Sequence, residues 1–131
     1  MTQFIPHYKW LLSDPERFAK NASGITLRKY QRGVLAAIFD SVLNQRGLCF
    51  VVIFPRQSGK NELQAQLETY LLTLFSRHPV EMVKVSPTLK PQALNAMRRL
   101  ERTVKKNTLT QCIWVKESGS IYRVGEARIT F

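Results

Sequence analysis

The chain has 131 residues, 44% of them hydrophobic and 22% charged, which suits one domain around one core and argues against disordered or fibrous classes. Twenty Lys and Arg against nine Asp and Glu leave a formal charge of +11. Such a surplus favours polyanionic partners, nucleic acid ahead of anionic membrane, unless it serves solubility alone or meets an absent acidic partner.

The N-terminus carries Pro6, His7 and Lys9 before any apolar stretch, so it is not a signal peptide. Ser13-Asp14-Pro15-Glu16 reads as a helix start, with Ser13 as its cap, and Asn21-Ala22-Ser23-Gly24 ends that short element. A helix of period 3.6 follows, with Leu27, Tyr30, Val34, Ile38 and Val42 on one face and Asn44 and Gly47 as stop signals. Residues 48–54, Leu-Cys-Phe-Val-Val-Ile-Phe, are β-branched or aromatic in large part and are bounded by Gly47 and Pro55. They predict a central parallel strand buried on both faces, and the run is far too short to cross a bilayer.

A second helix is expected from Gly59 to about Arg77, with Leu63, Leu67, Tyr70 or Leu71, and Leu74 facing the core and His78-Pro79 ending it. Residues 80–86 form a second strand, Pro87-Thr88 a turn, and a third helix places Leu89, Ala93, Met97, Leu100 and Val104 on one face. After Asn107, residues 112–115, 121–124 and 127–131 are strand-like pieces separated by Ser118-Gly119 and Gly125-Glu126, the pattern of a hairpin or meander. The order implies an α/β fold with a βαβ unit and a parallel sheet flanked by helices. Its parts are a helical lead-in over 1–47, a βαβα core over 48–106 and a hairpin region over 107–131. The last piece stops in mid-strand, so the chain reads as a partial domain of something longer. Cys49 and Cys112 each lie in an apolar run without metal-ligand spacing, and read as small buried hydrophobes in a reducing cytosol.

The sharpest chemistry sits where the expected buried strand meets the second helix. A phosphate-binding loop needs a strand to fix its start and backbone N–H groups that curl round the phosphates. It also needs a glycine that leaves room, a lysine for the β- and γ-phosphates, and a helix N-terminus facing the anion. Pro55, Arg56, Gln57 and Ser58 supply the loop, and Gly59-Lys60 opens the helix. Against the pattern G-x-x-x-x-G-K-[ST], Phe54 stands in place of the first glycine and Asn61 in place of the metal-binding hydroxyl. Gly-Lys alone is a weak signal, and a Gly-Lys turn that binds nothing is its structural alternative; the strand-to-helix context strengthens the first reading.

Pro55-Arg56-Gln57-Ser58-Gly59-Lys60-Asn61-Glu62 resembles the deviant phosphate loop of large terminase subunits, the motors that package phage DNA into capsids. The resemblance implies a P-loop NTPase-type fold, ATP and Mg²⁺ as cofactors, Lys60 as the phosphate-binding lysine and Arg56 as a loop arginine acting on the γ-phosphate. The family usually carries Ser or Thr after the lysine; Asn61 departs from that, although its carbonyl can still ligate Mg²⁺. Tyr30-Gln31 is similar to the family's aromatic-Gln pair, in which the Gln amide reads the adenine edge; the alternative for Gln31 is a solvent-facing helix residue. Ser86-Pro87-Thr88 with Gln92-Ala93 resembles the segment that couples such motors to DNA, and is otherwise a strand-to-helix turn capped by Thr88. By the same resemblance the partners are double-stranded DNA, a small terminase subunit and a portal protein, in the cytoplasm of a host cell and with no membrane. The whole protein could assemble as a ring.

ATP hydrolysis also needs a carboxylate on another strand to hold Mg²⁺ and align water. Asp14 and Asp40 both precede the loop, and Glu117 falls in the expected hairpin as a surface residue. The reading is therefore a nucleotide-binding portion with little catalysis of its own. His7 and His78 have no obvious partners and read as exposed or turn residues. Arg98, Arg99, Arg102, Lys105 and Lys106 lie on the third helix away from its apolar stripe, with Glu101 as the acid among them. They form either a track for DNA phosphates or a solvated helix face. Two further readings remain beside the terminase one: part of a helicase-like motor, against which the Arg-Gln pair in the loop argues, and a non-enzymatic basic DNA-binding module with a vestigial loop.

Overall fold

The computed structural model describes residues 4–131 and begins with three helices, α1 (Phe4–Leu12), α2 (Pro15–Ala22) and α3 (Lys29–Leu43). The cap of α2 is Asp14 rather than Ser13: its backbone is extended and its carboxylate accepts the Glu16 N–H at 2.8 Å. Proline prefers the first helical position, so the residue just before Pro15 takes the cap. The Ser13 hydroxyl donates instead to the Trp10 carbonyl at 2.9 Å.

Helix α3 ends at Asn44, as its stop signal predicts, but its buried face is not the one expected. Gln31, Leu35 and Ser41 are buried, whereas Tyr30 is exposed and Leu27 is buried ahead of the helix. A change of one residue turns the face by about 100°. Leu35 and Leu27 thereby join Ala19 of α2 and Leu63 in one apolar cluster.

Helix α4 (Lys60–Leu74) is shorter than expected and buried on more than one side, through Leu63, Ala65, Gln66, Thr69, Tyr70, Leu72 and Thr73. Leu72 packs towards the sheet, while Tyr70 packs with Phe18 and Ala22 of α2. The buried hydroxyls of Thr69 and Thr73 avoid a desolvation cost by donating to the Ala65 and Thr69 carbonyls at 2.8 and 2.7 Å. The Tyr70 hydroxyl donates to the Leu12 carbonyl at 2.6 Å and ties α4 to α1. A wide, π-type turn over Leu89–Ala93 leads into α5 (Leu94–Lys106). Leu89 is exposed, so the apolar face starts at Ala93 and runs through Met97, Leu100 and Val104 as expected.

Four strands form one sheet: β1 (Glu81–Val83), β2 (Trp114–Glu117), β3 (Ile121–Val124) and β4 (Ala127–Thr130), in the order β1-β4-β3-β2. The C-terminal meander is present, with β2–β3 and β3–β4 antiparallel. The β1–β4 pair is parallel, so the expected parallel pairing and the meander fall in one mixed sheet, with β4 and not residues 48–54 as the parallel partner. Its inner face, Tyr122, Val124, Ala127 and Ile129, packs on Leu72 of α4 and Met97, Leu100 and Val104 of α5. Gly125, at φ +61, carries the β3–β4 turn against the end of α4. A Cβ there would lie 2.1 Å from the Ser76 carbonyl oxygen, which also accepts the Glu126 N–H at 2.8 Å.

Residues 48–54 are the principal departure from expectation. They belong to no strand of the sheet, and Val51 and Ile53 are 85% and 87% exposed. A strand buried on both faces needs neighbouring strands at its edges and elements across both faces. Here Phe54 joins the Leu27–Leu35 cluster and meets Tyr30 edge-on at 5.3 Å, while the rest of the segment lies open. Cys49 and Cys112 are exposed rather than buried as expected: each apolar run touches a core cluster only through an aromatic residue, Phe54 and Trp114 respectively. Among the described residues no helix is long and apolar enough to cross a membrane.

Candidate functional site

The chain turns from the extended segment into α4 through two left-handed residues, Gln57 at φ 58 and Gly59 at φ 81. Gly59 is the residue immediately before the helix and Lys60 is the first residue within it. Glycine suits the left-handed backbone here, and a Cβ would stand 2.7 Å from the Gln31 amide nitrogen, so a larger residue would displace that amide from the loop. The Ser58 carbonyl is tied back to α3, accepting from the Tyr30 hydroxyl at 2.7 Å and the Gln31 Nε2 at 3.1 Å. A short loop is thus braced from behind by a helix and opens into the N-terminus of another. The unbonded N–H groups of that first turn carry partial positive charge.

Residues 54–62, together with Arg99 of α5, line a hollow of 380 Å³. Arg56, Lys60 and Asn61 are exposed at it, whereas Ser58 is buried. The Ser58 hydroxyl oxygen is buried without a hydrogen-bond partner, the kind of unsatisfied group that a ligand oxygen can complete. The loop residues named from the sequence are therefore brought together in one place.

Gln31 takes a different position from the one its motif implies. Its Oε1 accepts the Arg28 N–H at 2.9 Å at the start of α3 while its Nε2 donates to Ser58, so both ends of the amide are engaged, one capping its own helix and the other holding the loop. The aromatic-Gln pair is structural in this geometry: Tyr30 and Gln31 fix one carbonyl between them.

The five cations of α5 divide. Arg98, Arg99 and Arg102 line a groove of 710 Å³ together with Lys60 and Lys84, so the groove runs directly into the loop. Lys105 and Lys106 lie one turn, roughly 5 Å, beyond Arg102 along the helix. Lys105 pairs with Glu101 at 2.6 Å and sits over the Trp114 ring. Ser86, Pro87 and Gln92 also line the groove, whereas Ala93 is buried and the Thr88 side chain makes no cap bond.

Charge compensation in the groove is uneven. Lys84 is paired with Glu68, and both side chains are largely buried. Burial raises the Glu68 carboxyl above its ordinary range, opposed by the charge and hydrogen bond of Lys84. Arg99 contacts Glu62 at 3.1 Å. Among the described residues, Lys60, Arg98 and Arg102 have no carboxylate within ion-pair distance. The sequence signals had assigned Arg99 to the basic helix face alone and had not singled out Glu62. Their meeting at the loop joins positions 37 residues apart and has no local signature.

Among the described residues there is no group of three His, Cys, Asp or Glu side chains able to hold a metal ion. Mg²⁺ with a nucleotide usually takes its ligands from phosphates and waters plus one or two protein groups, and Asn61 lines both the hollow and the groove. Glu117 is on β2, at the opposite edge of the sheet from β1, and pairs with Arg123 at 2.6 Å. His7 stacks on Trp10, and His78 is exposed after the end of α4. No protein family, curated protein or solved structure was found to match this chain.

Proposed function

We propose that this chain is the nucleotide-binding portion of a terminase-like DNA-packaging motor. In this reading residues 55–61 grip the phosphates of ATP and the groove beside them meets the phosphate backbone of double-stranded DNA. The supporting observation is the loop itself. A left-handed Gly59 sits at the mouth of α4, Lys60 follows it, and Ser58 just before it has a buried, unpaired hydroxyl. In this role Lys60 neutralises the β- and γ-phosphates, Arg56 meets the γ-phosphate, and the backbone N–H groups of 57–60 hold the bridging region. Asn61 would hold Mg²⁺ through its carbonyl, and the ion would supply neutralisation of the phosphate charge. Gln31 serves as the brace that keeps the loop open to the anion. Any hydrolysis would need a carboxylate from elsewhere in the motor.

Titration with ATP and Mg²⁺ tests this. The wild-type chain is expected to bind, and Lys60→Ala to lose at least about tenfold in affinity, the worth of one charge-assisted contact. A wild type with no measurable affinity for ATP rejects the proposal. The unpaired Lys60, Arg98 and Arg102 favour a second reading, a non-enzymatic DNA-binding module. Salt-dependent DNA binding without any ATP binding, abolished by neutralising Arg98 and Arg102, selects that alternative.

A further inference from the structure

We infer that Arg99 is a ligand for the terminal phosphate of a triphosphate bound at the loop, held in waiting by Glu62. The inference rests on the reading of residues 55–61 as a phosphate site and adds to it the group that distinguishes a longer phosphate chain from a shorter one.

Arg99 comes from α5, yet it shares the hollow with the loop residues. Its link to Glu62 is one contact, Nη1 to Oε2 at 3.1 Å, between side chains that are 38% and 35% exposed. A single half-exposed contact of that kind holds a guanidinium weakly. The guanidinium has further donors in a planar fork, matched to two oxygens of a phosphate. Glu62 also keeps a partner when Arg99 leaves, because its Oε1 accepts from Gln66 Nε2 at 3.1 Å. The freed carboxylate, 35% exposed, stays hydrated and is not stranded in the interior. In the first turn of α4 it still opposes an incoming anion, which is why Arg99 and Glu62 act against each other.

A ligand at this place is indicated independently by Ser58, which lines the same hollow and whose hydroxyl is buried and unpartnered. The loop N–H groups and Lys60 suffice for a diphosphate. A third phosphate would be held by Arg56 of the loop and by Arg99, which lines the same hollow from α5. Arg99 is thus the element through which the state of the nucleotide reaches α5, the helix that also carries Arg98 and Arg102 on the adjoining groove.

Titrations of ATP, ADP, tripolyphosphate and pyrophosphate into the full chain test the assignment, with circular dichroism as the check on folding. Arg99→Ala is expected to weaken ATP and tripolyphosphate about tenfold or more while leaving ADP and pyrophosphate within about twofold. Glu62→Gln is expected to tighten ATP severalfold by releasing the arginine. Equal weakening of ATP and ADP by Arg99→Ala, or no change in either, overturns the inference. If Arg99→Ala fails to fold, Glu62→Gln decides, and no tightening in that variant overturns it. Wild-type binding of tripolyphosphate without ATP would retire the nucleotide reading and leave the phosphate assignment standing. Binding of neither overturns both.

Discussion

Residues 48–54 and the β2–β4 meander are made of similar material, β-branched and aromatic side chains in short runs, and they have opposite fates. In the meander, alternate residues point inward, and Tyr122, Val124 and Ile129 are each at most 2% exposed beneath α4 and α5. Residues 48–54 form no regular element, Val51 and Ile53 lie open to solvent and no strand pairs with them. Pairing and burial come from partners, which the meander carries within its own few residues and the earlier segment does not. The loop over residues 55–59 sits at the end of that open segment and is held by α3 and α4 instead of by a sheet.

That comparison can be broken or sharpened by measuring stability on its two sides. Leu100→Ala removes a fully buried side chain from the cluster under the meander, and is expected to cost about 2–5 kcal/mol in denaturant unfolding. A cost below about 1 kcal/mol would mean that this cluster is not the packed core described.

Glu101 gives a smaller and pH-dependent effect at the edge of the same cluster. Its carboxyl lies below the ordinary range, held there first by the hydrogen bond from Lys105, with the Tyr122 hydroxyl and the Lys116 charge also contributing. A depressed carboxyl contributes stability above its unfolded-state value near 4.5, and loses it as the pH falls through the folded value. Glu101→Gln is therefore expected to cost about 1 kcal/mol at neutral pH, and the difference from wild type should vanish in acid. A difference independent of pH would assign the effect to packing.

The smallest change is expected on the open side. Ile53→Ala should leave stability within about 0.5 kcal/mol of wild type. A loss above about 1.5 kcal/mol would show that residues 48–54 are covered in solution, and would remove the contrast with the meander.

Much of the loop was legible in the sequence because its requirements are local. Gly59 answers a left-handed backbone, Lys60 follows it on the first turn of α4, and Phe54 marks the end of the extended run. What surrounds the loop was not. The Tyr30 and Gln31 bonds to Ser58 cross 28 and 27 residues, and the Arg99–Glu62 contact crosses 37. The motif suggested a free amide at Gln31; the fold engaged it because Ser58 needed a donor at that carbonyl. The same logic separated Arg98, Arg99 and Arg102 from Lys105 and Lys106, which share their helix but pass beyond the groove.

By itself, the sequence determined where backbone geometry changes: the helix start at Pro15, though not its capping residue, the end of α3 at Asn44, the turn at Gly59 and the two turns of the meander. These are decided within a few residues, by φ/ψ limits and by hydrogen bonds inside a single turn. Tertiary structure alone decided which face of α3 is buried, that β1 pairs in parallel with β4, that residues 48–54 stay outside the sheet, and that Arg99 stands at the loop. Each of these depends on contacts between residues far apart in the chain, whose free energy comes from burying surface together, and no short stretch of sequence contains both sides of such a contact.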